Sequence, residues 1–237
     1  MSTTSVKSGH NHTTLASTPP GIRLERHELT DRMLHWLIAT AILALLCTSL
    51  LPILGLQFEW VLIHWVTGIL LTLAIIVHIV RVLVLGRLSL MKISKQELAV
   101  EIHIIHTTLT GRASNSLKAG KYSPAQKGYH QVVASLVLTA IGTGLLMLVK
   151  IDSPFWDRDP YLLSQEIWGV VYALHGLSAL GSISLIMIHV YFALRPEKLF
   201  YTRSMIVGWI TRDEHEAHHD PAQWLPDNFN EKAENRK

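Results

Sequence analysis

Four stretches of this chain, residues 33–56, 60–85, 128–149 and 167–194, each run for more than twenty residues with almost no full charge. Each exceeds the roughly 20 residues an α-helix needs to cross a hydrocarbon core of about 30 Å. Arg81, near the end of the second run, is the exception, and Glu59 stands just before that run. Runs of this length dictate an all-α integral membrane fold, a bundle of four transmembrane helices. Composition agrees: 49% of residues are hydrophobic and only 16% charged, far from the balance of a soluble domain.

The bundle divides the chain into three parts. Residues 1–32, rich in Ser, Thr, His and Arg and carrying Pro19 and Pro20, read as a polar, disordered tail. They lack an apolar core of their own, so the first helix is expected to serve as the membrane signal. Residues 33–194 form the membrane domain, and residues 195–237 a polar C-terminal tail. Between the second and third spans, "SKQELAVEIHIIHTTL" opens with the capping-box pair Ser94 and Glu97 and places Leu98, Ile102, Ile105 and Leu109 along one face. It reads as a short amphipathic helix at the membrane interface.

Basic residues set the orientation. Arg87, Lys92, Lys95, Arg112, Lys118, Lys121 and Lys127 fall between the second and third spans, whereas Asp152, Asp157 and Asp159 outweigh Lys150 and Arg158 between the third and fourth. The positive-inside rule then puts the basic segment and both termini in the cytoplasm of a bacterium, with the chain in its inner membrane. The net charge of +3 follows from this topology and requires no nucleic acid.

Histidines carry the chemical signal. His175 and His189 share the fourth span and are fourteen residues apart, a rise of about 21 Å with a rotation that returns to nearly the same face. An imidazole in hydrocarbon needs a hydrogen-bond partner or a metal. His64 begins the second span at the outer level expected for His175, and His35 begins the first at the inner level expected for His189. His78, fourteen residues after His64, reaches the inner level too, so spacing alone leaves His35 and His78 as alternatives opposite His189. Two imidazoles at each of two depths suit iron in a porphyrin plane, whereas zinc would want more protein ligands. Cys47 is the only cysteine, which excludes c-type attachment and points to two haems b. Gly68, Ser178, Ala179 and Ser182 leave room for a flat macrocycle, although small residues also serve close helix packing.

The motifs "LTDRMLHWLIA", "LIHWVTGILL", "GKYSPAQKGYH", "YALHGLSALGSISLIMIHVYFAL" and "GWITRDEHEAHHDPAQW" resemble the cytochrome b subunits of membrane-bound formate dehydrogenases, within the wider group of four-helix bacterial di-haem cytochromes b. The resemblance covers nearly all of the chain after its polar start. It implies His35 with His189 at the inner haem and His64 with His175 at the outer, with His78 left aside. It also implies a quinone site near the inner haem, lined by the "GKYSPAQK" loop through Ser123 and Gln126; Ser123 followed by Pro124 is equally a helix start.

The expected function is therefore that of a membrane anchor carrying electrons between an iron-sulfur subunit, attached to a molybdenum or tungsten catalytic subunit, and the quinone pool. The chain has no Gly-rich dinucleotide fingerprint and no cysteine cluster, so primary substrate chemistry belongs to a partner. The cytochrome b subunit of a nickel-iron hydrogenase or thiosulfate reductase, and a stand-alone bacterial cytochrome b, share these features. A haem-free transporter lined by histidines is the reading from another class. Arg32, Arg81 and Arg87 fit the positive-inside bias better than haem propionates, and His215, His218 and His219 read as a solvated helix face or a partner contact.

Overall fold

The computed structural model describes residues 23–110 and 118–226. Arg112, the Pro19 and Pro20 segment and the chain after residue 226 lie outside the described residues. In order along the chain come β1 (Arg23–Glu25), α1 (Leu29–Leu50), α2 (Trp60–Val84), a 3-10 turn (Arg87–Met91), α3 (Lys95–Leu109), α4 (Pro124–Leu148), α5 (Gln165–Leu194), a second 3-10 turn (Pro196–Lys198), α6 (Leu199–Val207), β2 (Trp209–Thr211) and α7 (Arg212–His218). Among the described residues, α1, α2, α4 and α5 are the four helices long and apolar enough to cross a membrane. The fold is an integral membrane helical bundle.

Its broadest contacts join α1 to α2 and α4 to α5. Ala41, Leu71 and Val137 are buried at its centre, packed by Ile38, Ile42, Leu45, Ile75, Val133 and Ile141. Leu70, Leu73, Val80, Leu177 and Leu180 face outward. Such a surface is stable where the solvent is lipid, and helices there are joined by close packing rather than by hydrophobic expulsion.

The helix ends differ from those expected. The first helix spans Leu29–Leu50, not 33–56. Its start recruits Asp31 and Arg32, which a charge-free run cannot include, and its end comes just before Pro52, which has no N–H to continue the ladder. Gly55 then turns the chain with a φ of 92°, a conformation that favours glycine. The third span starts at Pro124 instead of 128, because Ser123 and Gln126 form a capping box ahead of the apolar run. The fourth starts at Gln165, with Ser164 as its N-cap. The short helix expected between the second and third spans is present as α3, and its capping box is made by Ser94 and Glu97 at 2.8 and 3.1 Å. Leu98 and Ile102 on it are exposed; the side chains of Ile105 and Leu109 lie outside the described set.

The N-terminal segment needs correction. Residues 23–32 are not disordered: β1 pairs antiparallel with β2, Leu24 against Ile210, and both side chains are almost fully buried. The C-terminal segment folds back over the same end of the bundle, with Phe200, Tyr201 and Trp224 around the Leu24 and Ile210 core. We call this unit the terminal cap, since it closes the end of the bundle where α1 begins and α5 ends. Alternation in two three-residue strands is too short a signal to read from either segment alone.

Candidate functional site

Within the bundle, α5 presents two histidines, and each meets a ring from another helix. His64 on α2 and His175 on α5 have ring centres 6.3 Å apart. His35 on α1 and His189 on α5 are also 6.3 Å apart. The first pair lies at the level far from the cap, the second at the level next to it.

What holds each ring differs. The Thr48 hydroxyl is 2.9 and 3.0 Å from the carbonyls of Ala44 and Leu45 and 2.8 Å from His64 Nδ1. A hydroxyl has one proton, which goes to a carbonyl, so it accepts from Nδ1–H and leaves Nε2 of His64 with its lone pair free. Thr143 repeats the device, 2.6 Å from the Thr139 carbonyl and 2.9 Å from His175 Nδ1. Fixing the far nitrogen of a metal-binding imidazole in this way is the usual second-sphere arrangement. At the other level His189 stacks on Tyr129 at 5.7 Å, and His35 meets the edge of Trp36 at 5.3 Å.

The spacing fits an iron held between two imidazoles. Metal–imidazole bonds of about 2 Å, with each nitrogen about 1.1 Å from its ring centre, put collinear rings about 6.2 Å apart, close to the observed 6.3 Å. The space around the rings is also suitable. A side chain added at Gly68, one turn after His64, would meet nothing within 4 Å, whereas one at Gly144 would come within 3.3 Å of the His175 ring. A cleft lined by Ile42, Tyr129, Val133, Val137, Ser182 and Leu185 lies between α1, α4 and α5. Among the described residues no group of three or more His, Cys, Asp or Glu is arranged to hold a bare metal ion, so the histidine pairs suit a group that brings its own equatorial ligands.

A family model described as prokaryotic cytochrome b561 matches residues 26–208. The chain belongs to that family. It is a membrane haem b protein of electron transfer. No curated protein matches the chain. In this cytochrome b561 family member the match ends at Gly208, immediately before β2, so α7 and the strand that carries the cap's Ile210 lie beyond it.

The remaining residues singled out from the sequence fall into place around this frame. Ser123 Oγ accepts from the Gln126 N–H at 3.2 Å, and Gln126 Oε1 accepts from the Ser123 N–H at 2.9 Å. Both side chains thus cap α4, which leaves the Ser123 O–H and the Gln126 NH₂ as donors. The ring that His78 meets is that of His130 on α4, 6.5 Å away. Arg81 and Arg87 do more than follow an orientation bias. Arg81 Nε bonds Asp31 at 3.1 Å, Arg87 Nη1 bonds the other Asp31 oxygen at 3.0 Å, and both guanidiniums also pair with Glu28. The Arg87 hydrogen bond holds the Glu28 carboxyl below its ordinary value.

The cap corrects the reading of the tail histidines as a solvated face. His215 and His219 are buried, and His218 stacks on Phe200 at 4.6 Å. Arg26 Nη1 donates to His219 Nε2 at 2.7 Å, and His219 Nδ1 donates to the Gly120 carbonyl at 2.7 Å. Arg26 Nη2 also bonds the Lys121 carbonyl at 2.9 Å. One histidine therefore ties the residue after β1, the loop before α4 and the C-terminal segment together. Burial pushes His219 down to about 4, with Arg26 acting in the same direction. Burial pushes His27 down to about 3, helped by Arg26, Lys121, His35 and Arg32. Thr48, Thr143 and His130 were missed in the sequence. His130 offered the same signal as the other histidines, an imidazole within an apolar span.

Proposed function

We propose that this cytochrome b561 family member binds two haems b, one between His64 and His175 and one between His35 and His189. It would carry electrons across the membrane between an iron-sulfur partner and quinone. The observation that carries this reading is the equal 6.3 Å ring spacing of two pairs that share α5. Bound there, haem b supplies one-electron Fe(III)/Fe(II) chemistry. His64 and His175 present Nε2 because Thr48 and Thr143 hold Nδ1. His189 is oriented by its stack on Tyr129. The helix α5 fixes the distance between levels at about 21 Å, the rise of fourteen residues.

By the positive-inside bias, the cap faces the cytoplasm. Electrons entering at the far level and leaving at the cap level move negative charge inward, and quinone reduced there takes its protons from the cytoplasm. The partner we infer is an iron-sulfur subunit with a molybdenum or tungsten catalytic subunit, of the formate dehydrogenase kind. Supporting this choice, the two segments that carry the formate dehydrogenase resemblance, the "GKY" loop and the tail, build one cap through the Gly120 and His219 bond. Purification from native membranes tests it: the expected companions are an iron-sulfur protein and a molybdenum or tungsten enzyme, with formate reducing the haems. Isolation with a nickel-iron enzyme, or as a single chain that quinol reduces directly, would overturn the partnership and leave the haem assignment standing.

A further inference from the structure

We infer that His78 on α2 and His130 on α4 form a clamp for one carbonyl oxygen of a quinone headgroup. This rests on the proposal that the protein reacts with quinone and names the place. Both imidazoles stand within membrane spans and outside the two 6.3 Å pairs. A polar ring at that depth is costly unless something there uses it. Unlike His64 and His175, neither ring carries a hydrogen bond to a described protein group. His130 is exposed and His78 half-buried. The helices α2 and α4 meet far less extensively than α1 with α2 or α4 with α5. The pair therefore opens toward lipid, the medium in which a hydrophobic quinone travels.

The spacing suits one oxygen. An N–H···O bond of about 2.9 Å puts the acceptor about 4 Å from each ring centre. With the centres 6.5 Å apart, two such bonds converge on the oxygen at about 110°, near the angle between the lone pairs of a carbonyl. Two metal bonds would need nearly the same spacing, so the geometry leaves a haem between these rings as the competing occupant, and the test must distinguish the two. The position also suits electron delivery, because Tyr129, adjoining His130, stacks on His189. Gln126, one turn before His130 on α4, has its Oε1 tied to the cap of the helix and its NH₂ left to donate. The imidazoles, not the "GKYSPAQK" loop, then supply the principal hydrogen bonds.

The test uses purified holoprotein in detergent and decyl-ubiquinone carrying ¹³C at one carbonyl, read by equilibrium binding and by the infrared shift of the labelled stretch. His78→Leu and His130→Leu should each weaken binding about 2- to 10-fold, shift the labelled carbonyl toward its free frequency and keep both haems. His130→Gln, which retains an N–H donor, should recover most of the loss. Unchanged binding in both Leu variants, with the wild type binding, would overturn the clamp and leave the quinone reaction intact. Loss of a haem in either Leu variant would make the pair haem ligands and overturn the clamp. A wild type that binds no quinone would overturn both the clamp and the reading on which it rests.

Discussion

The two histidine levels share a spacing and differ in what holds them. At the far level, His64 and His175 are each fixed by a threonine hydroxyl, a neutral hydrogen bond within hydrocarbon. At the cap level, His35 and His189 are held by aromatic packing against Trp36 and Tyr129. They lie close to a charged region: the Glu28, Asp31, Arg81 and Arg87 network and the buried Arg26. Under the proposed function the difference would match two tasks. A site that only passes electrons benefits from a fixed tautomer and a dry surround, whereas one that hands electrons to a reaction consuming protons must sit near water and charge.

The largest effect is expected from removing one histidine of a pair. His175→Ala should abolish the far-level haem and leave the cap-level one, while His35→Ala should do the reverse and His78→Ala should leave two; haem content and the visible spectrum check each. Next in size is Ile210→Ala in the cap core, which should cost about 2–5 kcal/mol of local stability. Proteolysis after Gly208 should become much faster while the far-level spectrum stays unchanged.

The Thr48→Val and Thr143→Val exchanges sharpen the contrast between levels. Each removes the acceptor that fixes Nδ1, and loss of such an outer partner typically weakens a metal site about 10- to 100-fold. The far-level haem should become easier to extract and its midpoint potential should shift, with the cap-level haem unaffected; equal shifts at both levels would dissolve the distinction. Smallest is the pH response of the cap. His219, held down to about 4 in the fold, binds a proton more readily once unfolded, at its ordinary value near 6.5. Its stabilising contribution is therefore complete above about pH 6.5 and is lost as pH falls towards 4. Hydrogen exchange across residues 209–224 should speed up in that window, and His219→Gln should flatten the dependence.

Much of the bundle was legible because lipid imposes one rule, the uninterrupted apolar run, on every span. Residues that break the rule by pairing were misplaced: Asp31 and Arg32 read as tail because their partners, Arg81, Arg87 and a carbonyl of α6, are distant in sequence. The cap was unreadable for the same reason. Its strands are three residues long, and Leu24 acquires meaning only opposite Ile210. His219 looked solvated among acidic neighbours, yet its bonds run to Arg26 and Gly120, about a hundred or more positions away. Depth brought His64 level with His175 but left His35 and His78 open opposite His189, a choice only the resemblance made; Thr48 and Thr143 were not foreseen, since a threonine in an apolar helix ordinarily satisfies itself on the preceding turn.

The most direct test is the ratio of haem to polypeptide in the purified wild type, measured by pyridine haemochrome absorbance against amino-acid analysis. Two haems b per chain are expected, titrating as two components of different midpoint potential. One haem per chain, or none, would contradict the pairing of His64 with His175 and of His35 with His189.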